Sequence, residues 1–223
     1  RQAMKNSEQT LGDLVTAFPA AAKVLQRYRL DYCCGGRQTL REACVAGDVD
    51  AETVLRDIEA AGTGKVDVAR WDERPLDELV QHILDRYHAP LRTELPRLIE
   101  LAGQVERAHA DKSDRPKGLA DLLTEVKAAV ESHLAKEEKI LFPLIVSGRG
   151  QNARMPVQVM MQEHEDHGQN LRRIRELTGN LTAPDHACAS WRELYRALGA
   201  LEVELMDHIH LENNILFPRA LAG

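Results

Sequence analysis

Leucine and valine recur at three- and four-residue spacing along most of the chain, with charged residues between them. This period matches one face of an α-helix and predicts amphipathic helices. Two of the long patterns run through Leu-Phe-Pro, where Pro143 and Pro218 are expected to break or bend the helix. Short connections favour an antiparallel, up-down-up-down bundle. The predicted long helices span residues 75–105, 116–146, 156–177 and 186–217.

Shorter helices are predicted in the first part of the chain. An early pair is interrupted at Pro19, and the stretch DYCCGGRQTL reads as a turn, with Gly35 and Gly36 supplying backbone freedom. Two more helices follow, and Asp50 is the expected N-cap of the last one. We therefore predict an all-α protein with three parts: a small helical domain at 1–62, a linker at 63–74 and a four-helix bundle at 75–223.

Composition narrows the class of protein. Aromatic residues make up only 4% of the chain, and its formal charge is −6, so a nucleic-acid partner has little electrostatic support. No apolar run is long enough to span a membrane, and no signal peptide is visible. We therefore expect a cytoplasmic protein without a membrane partner. The expected oligomeric state is a monomer or a homodimer.

The cysteine pattern agrees with a reducing compartment. Cys33 and Cys34 are adjacent, and neighbouring Cα atoms lie ~3.8 Å apart, below the roughly 4.4 Å usual for a disulfide. Cys44 and Cys188 fall in helical patterns and are expected to be packing residues. The set does not resemble the disulfide framework of a secreted domain.

One phrase occurs twice. HLAKEEKILFP begins at His133 and HIHLENNILFP begins at His208, and both fit H-x-x-x-E-x-x-I-L-F-P. In each copy the His and Glu are four residues apart, on one helix face. Ile140 and Ile215 continue that face, so we expect both pairs to point into the core. A buried carboxylate needs a partner, which either a metal ion or a salt bridge would supply.

The other two long helices carry histidines at a matching depth. His82 and His88 differ by six positions, about 240° around a helix, so only one of them faces the core, and we prefer His88. His164 and His167 are three positions apart, and we prefer His164. Four imidazoles and two carboxylates suit two iron ions that share two bridging carboxylates. The predicted metal ligands are His88, His133, Glu137, His164, His208 and Glu212.

The remaining polar residues near these helices are predicted to lie outside the site. His109 follows His88 by 21 positions, ~31 Å on a straight helix, which places it near the opposite end. His186 is expected at the surface, and His210 is expected to point away from the core. A solvated acidic face is expected on the third long helix, with contacts to ligand imidazoles as the minor alternative: Glu163, Glu165 and Asp166.

This bundle resembles the hemerythrin-like di-iron domains. It departs from hemerythrin on the third long helix, where a histidine would be expected four residues after His164 and Gly168 stands instead. The resemblance implies a hemerythrin-like four-helix bundle in which one iron has fewer imidazoles and a more open coordination sphere. Simple reversible oxygen carriage is therefore not expected.

Nearly the whole chain resembles the Repair of Iron Centers family of iron–sulfur cluster repair proteins. The resemblance rests on DYCCGGRQTL, ERAHADK, HLAKEEKILFP and DHIHLENNILFPRALAG. It implies a cytoplasmic protein, induced by nitric oxide and oxidative stress, that repairs damaged iron–sulfur proteins by donating iron. It also implies two carboxylate-bridged Fe ions per chain, with or without an oxo bridge. By position, the family's ligands fall on the same six residues, and its cysteine pair falls on Cys33 and Cys34.

The cysteine pair is a candidate for direct participation. The first domain is tethered to the metal-bearing end of the bundle, so Cys33 and Cys34 could approach the irons if the linker folds back. Thiolates bind iron well, so we expect the pair to receive iron or to engage the recipient. The alternative is a role as small buried hydrophobes or as a dimer contact. Two other functions stay open: a nitric-oxide-reducing enzyme, and a sensor of nitric oxide or oxygen.

Overall fold

The computed structural model describes residues 6–61 and 70–223. Helices dominate both ranges, and an isolated bridge between Thr10 and Thr39 is the sole β pairing within them. Residues 1–5 and 62 of the predicted first domain, and residues 63–69 of the predicted linker, lie outside the described residues. No helix in the described ranges combines the length and the apolar character that a membrane span requires.

Side-chain caps define the short helices of the N-terminal unit. Thr10 caps the first helix, and Thr39 forms a capping box with Glu42 before the third. Asp50 accepts the backbone N–H of Thr53 at 2.9 Å, which confirms the predicted N-cap. The helices are α1 (Leu11–Ala17), α2 (Ala21–Arg27), α3 (Leu40–Ala46) and α4 (Ala51–Ala61).

The C-terminal unit is a bundle of four long helices, and the prediction of an all-α protein with a four-helix bundle is confirmed for the described residues. Three of the four helices contain one π-helical turn. Helix α5 comprises Leu76–Ile83, the π turn Leu84–His88 and Ala89–Ala108; α6 comprises Leu119–Lys136, the π turn Glu137–Leu141 and Phe142–Val146; α7 is Arg154–Leu177; α8 comprises Ala189–His210, the π turn Leu211–Leu216 and Phe217–Ala222.

Of the predicted break or bend at Pro143 and Pro218, the break is wrong, because both helices continue through the proline. Pro90, Pro143 and Pro218 each come two residues after the end of a π turn. In α6 the Phe142 N–H donates to the Glu137 carbonyl, five residues back, and α5 and α8 repeat this pattern. Proline lacks an N–H and its ring clashes with the carbonyl four residues earlier in an α-helix. The wider turn accommodates both effects.

The π turn in α6 also overturns one prediction about the core. Ile140, expected to face inward, is 53% exposed, whereas Leu141 is 1% exposed. The extra residue in the turn rotates the following side chains away from the α-helical register. Ile215 in the second copy of the phrase is buried as expected.

A polar layer divides the bundle core into two apolar parts. The part near the chain ends of α6 and α8 contains Phe142 and Phe217, and the opposite part contains Leu98 and Trp191. The two parts are separate clusters, because the residues between them along the helices are histidines and glutamates. This layer is where the predicted ligands lie.

The N-terminal unit is docked against the bundle at the level of this layer. Met206 of α8 packs on the core of the N-terminal unit. The Tyr32 hydroxyl donates to Asp207 Oδ1 at 2.5 Å, and Asn214 Nδ2 donates to the Tyr32 carbonyl at 3.2 Å. A Cβ on Gly36 would lie 2.7 Å from Asn214 Oδ1, so glycine permits the close approach of the two units.

Candidate metal centre

The structure brings all six predicted ligand side chains into one buried layer. His88 is the last residue of the π turn in α5, and His164 lies in the middle of α7. The two copies of the repeated phrase supply the rest from the ends of α6 and α8. None of the six is more than 2% exposed: His88, His133, Glu137, His164, His208 and Glu212.

The two oxygens of Glu137 face different imidazoles. Its Oε2 lies 3.4 Å from His88 Nε2, and its Oε1 lies 3.4 Å from His133 Nε2. The carboxylate therefore stands between two groups of donor atoms and can contribute one oxygen to each.

Glu212 repeats this arrangement from the opposite side. Its Oε1 lies 3.0 Å from His208 Nε2, and its Oε2 lies 3.1 Å from His164 Nε2. Two groups of four donors result, each with its ligand atoms within 4.8 Å of one another, and both contain both carboxylates. The groups are His88, Glu137, His208 and Glu212, and His133, Glu137, His164 and Glu212.

The imidazole pairs have the spacing of ligands to a common ion. His88 Nε2 lies 3.2 Å from His208 Nε2, and His133 Nε2 lies 3.1 Å from His164 Nε2. Two ligand atoms about 2.1 Å from one ion, at right or tetrahedral angles, lie about 3.0–3.4 Å apart. Each half of the layer therefore has the dimensions of a metal site.

Unpaired oxygens at the centre provide a separate test of this fit. Both oxygens of Glu137 and Oε2 of Glu212 are buried and accept no hydrogen bond in the part of the chain that the structure describes, although each lies within 3.4 Å of an imidazole nitrogen. Burying a carboxylate without a partner is unfavourable. Cations held between the two carboxylates would satisfy all three oxygens, so the donor set fits a pair of metal ions.

The electrostatics of the layer also favour cations. Burial disfavours the charged form of His133, but the Glu137 and Glu212 carboxylates raise its pKa to about 9. Burial likewise raises the pKa of Glu212, but His208 and His164 hold it well below its usual range. The carboxylates thus remain ionised in the core, and the field that attracts protons to the imidazoles attracts metal ions as well.

Two carboxylates orient ligand imidazoles from outside the layer. Glu138 Oε1 lies 2.9 Å from His88 Nδ1, and Glu163 Oε2 lies 2.9 Å from His133 Nδ1. Lys136 holds Glu163 in turn. An Nδ1–H donated to a carboxylate leaves the Nε2 lone pair free for a metal, which fixes the tautomer a ligand needs.

The other two imidazoles are oriented differently. Asn213 Oδ1 accepts from His164 Nδ1 at 2.8 Å. His208 Nδ1 has no hydrogen-bond partner in the described residues, but its ring stacks on Tyr87 with a centroid distance of 5.3 Å and an interplanar angle of 8°. The Tyr87 ring therefore positions the His208 imidazole.

Sequence reasoning missed part of this outer set. Glu163 was assigned mainly to a solvated face, and its contact with His133 corresponds to the minor alternative. Glu138 and Asn213 were not considered. A signal was present, because each directly follows the glutamate of one copy of the repeated phrase.

We expect Glu138→Gln to lower the affinity for metal by about tenfold, because outer hydrogen bonds to ligand imidazoles typically matter by that much. Glu138 also pairs with Arg92 at 2.8 Å, so the neutral amide weakens the orientation of both groups. Competition with a chelator measures the change. Glu165→Gln, at an exposed position on α7, is the control. Equal affinities in both variants would contradict the assigned role.

The remaining histidines lie away from the six-residue layer, with one exception. His82 stacks on Trp71, and His109 Nε2 lies 3.2 Å from Cys188 Sγ. His186 is exposed beside Asp114. His167 is the exception, because it lies beside the layer. His210 is also buried, at the interface between the two units.

His167 is buried beside the layer, although it belongs to neither group of donors. Its ring lies 5.0 Å from the ring of His133, nearly perpendicular to it. Burial, together with His133 and His164, lowers the pKa of His167 to about 3, so this imidazole is neutral. The preference for His164 over His167 stays a prediction, and the structure places His164 in one group of donors and His167 in neither.

The cysteine motif lies directly against α7. Cys34 Sγ is 3.4 Å from the carbonyl oxygen of His164, and Asn213 Nδ2 donates to the Cys33 carbonyl at 3.3 Å. A Cβ on Gly168 would lie 3.7 Å from Cys34 Sγ. The thiol thus faces the position at which hemerythrin would have a further histidine.

Comparison with known proteins agrees with these two units. Residues 79–220 match the Hemerythrin HHE cation binding domain. Residues 7–62 match ScdA_N, a domain of unknown function (DUF542).

Full-length relatives share both units. The chain is 43% identical over 220 residues to "Iron-sulfur cluster repair protein YtfE" of Pectobacterium atrosepticum, covering 99% of this chain and 100% of the relative. It is 44% identical, with the same coverage, to the proteins of that name from Escherichia coli O157:H7 and Citrobacter koseri. The chain therefore belongs to the family of the iron–sulfur cluster repair proteins YtfE.

Proposed function

We propose that the chain binds two iron ions, one in each half of the layer, with Glu137 and Glu212 bridging them. The support is the split of each carboxylate between two imidazole pairs, together with three otherwise unpaired buried oxygens. A donor set of imidazole and carboxylate without thiolate, projecting from four helices, suits iron. An oxo bridge between the ions is compatible with this arrangement.

We further propose that the chain restores damaged iron–sulfur clusters by donating this iron, as the printed name of its relatives suggests. The observation that carries the proposal is the cysteine motif, which is packed onto the helix of a ligand. Cys34 Sγ touches the carbonyl of His164, and Asn213 joins the Cys33 backbone to the His164 ring. The iron is the transferred substrate in this scheme, and it moves from the layer to the cysteine motif before it reaches the recipient.

The motif has the donor atoms that a transient iron site requires. Asp31, Cys33 and Cys34 each offer one ligand atom, and the three atoms lie within 4.8 Å of one another. Thiolates are soft ligands that bind iron well, whereas ferrous iron binds nitrogen and oxygen ligands less tightly than later divalent metals do. Iron stored in the ferrous state would therefore pass readily from the layer to the cysteines.

A groove between the two units gives a recipient access to the motif. It has a volume of about 510 Å³ and is lined by Asp31, Cys33 and Gly168. Basic side chains also line it, among them Lys23 and Arg172, so an acidic surface on the recipient would be favoured. We place this activity in the cytoplasm, where thiols remain reduced.

The test is transfer of isotopically labelled iron. We expect the loaded protein to restore the cluster and activity of a nitric-oxide-damaged iron–sulfur protein, with the label found in the recipient. A chelator of free ferrous iron is present throughout, and protein without iron is the control. Restored activity without labelled iron in the recipient would contradict donation.

The same iron-loaded protein distinguishes two other functions from iron donation. A nitric-oxide-reducing enzyme would produce nitrous oxide over many turnovers with a supplied electron donor and would keep its iron. A sensor would also keep its iron and would change its affinity for a partner. A small cavity beside the layer, lined in part by His133 and His208, is the observation that favours the enzyme.

A further inference from the structure

Hydrogen bonding does not explain why a histidine is buried at position 167. His167 is 5% exposed, and neither Nδ1 nor Nε2 has a hydrogen-bond partner within residues 6–61 and 70–223. A neutral imidazole carries one N–H donor and one acceptor. Leaving both unsatisfied is unfavourable, and an apolar residue would fill the same space without that penalty.

The ring of His167 forms part of the wall of a small cavity. The cavity has a volume of about 10 Å³, enough for about one water-sized molecule. His133, from one group of donors, and His208, from the other, also line it. The cavity thus borders both halves of the metal layer. Its remaining walls are aliphatic: Leu91, Val130, Leu134, Leu205 and Ile209.

His167 is not placed as a metal ligand. Its nitrogens belong to neither group of donors, whereas His164, one turn earlier on the same helix, belongs to one of them. The His167 ring is 5.0 Å from the His133 ring at 87°. His167 therefore borders the layer through the cavity that it shares with His133 and His208 and does not complete either group of donors.

We infer that the cavity holds a neutral diatomic molecule bound to the metal pair, and that the His167 N–H donates a hydrogen bond to it. This inference rests on the proposed two-ion site. The aliphatic walls give no compensation for an anion, and the volume excludes larger substrates. His167 is thus a residue that selects and retains the ligand.

Nitric oxide bound to the ferrous-loaded protein is the probe, because its N–O stretching frequency reports on a hydrogen bond. We expect His167→Leu to release nitric oxide about tenfold faster and to shift the N–O stretch upward, with the iron content unchanged. His167→Gln keeps an N–H donor and should retain most of the slow release. His186→Leu, at an exposed position, is the matched control.

Iron content is measured first, so that a failure of the proposed metal site can be distinguished from a failure of the inference about His167. Loss of iron in a folded His167→Leu protein would make His167 a ligand and overturn the inference. Equal release rates and an unchanged stretch in His167→Leu would show that the ring only fills space. If the leucine variant does not fold, a release rate in His167→Gln as fast as that of nitric oxide from a solvent-exposed ferrous site would also overturn it.

Discussion

Replacing Glu137 or Glu212 with alanine is expected to reduce the bound iron from about two ions per chain to well below one, and the double variant is expected to bind none. Each carboxylate divides its oxygens between both groups of donors, so a single substitution weakens both halves of the layer. One remaining carboxylate cannot neutralise two neighbouring cations in a buried site. Elemental analysis after loading with ferrous iron under anaerobic conditions measures the result.

Substitution of an imidazole provides the contrast. His88 and His208 belong to one group of donors only, so His88→Ala should remove about one ion and leave the other in place. Glu131→Ala is the control for the glutamate variants, because Glu131 lies on the same helix as Glu137 and pairs with Lys127 at the surface. Circular dichroism establishes that each variant keeps its helices.

Either of two results would contradict the bridged pair. One is loss of a single ion from the Glu137→Ala protein with full retention of the other, which would make that carboxylate a terminal ligand. The other is full iron content in both glutamate variants. The buried His–Glu contacts would then be salt bridges, the alternative that the repeated phrase left open.

The layer could be predicted from the sequence because it depends on local geometry. A His and a Glu four residues apart must share a helix face, whatever the rest of the fold does. Two copies on α6 and α8, which run in the same direction, together with His88 and His164 at the same depth on the other two long helices, suffice to assemble six donors. The structure places these side chains together with nitrogen–oxygen distances of 3.0–3.4 Å.

The π turns could not be predicted from hydrophobic period. A period of 3.6 residues assigns Ile140 to the core, but the turn from Glu137 to Leu141 adds a residue and turns Ile140 to solvent. The Leu-Phe-Pro pattern predicts a break or a bend at Pro143, whereas the chain accommodates the proline by widening the turn before it. Pro143 and Glu137 therefore depend on the same π turn, because the turn that accommodates the proline also positions the predicted ligand.

The docking of the N-terminal unit depends on contacts far apart in sequence. Asn213 joins Cys33 to His164, and Asn214 reaches the carbonyl of Tyr32. Nothing in the periodicity of α8 separates these two asparagines from ordinary polar residues. Gly36, read as a source of backbone freedom, acts instead by having no side chain where Asn214 approaches.

Replacing Cys34 with serine is expected to leave the iron content near two and to slow transfer of labelled iron to a recipient by at least about tenfold. The expectation follows from the position of the thiol, which touches the backbone of His164 and shares a donor group with Cys33 and Asp31. Serine has nearly the same shape, but its hydroxyl is a poor ligand for ferrous iron compared with a thiolate. Cys33→Ser should have a similar effect, and the double variant should transfer iron no faster than free release.

The other two cysteines are the matched controls for this experiment. Cys188 is exposed at the opposite end of the bundle and Cys44 lies in the core of the N-terminal unit, so Cys188→Ser and Cys44→Ser remove thiols without touching the motif. Normal transfer by the Cys33→Ser, Cys34→Ser double variant would leave donation in place but remove the motif from its route. The adjacent thiols would then serve to pack the two units together, as the close contact of Cys34 with Gly168 allows. Loss of iron from the same variant would have a different meaning, because it would show that docking of the motif holds His164 in position for the metal.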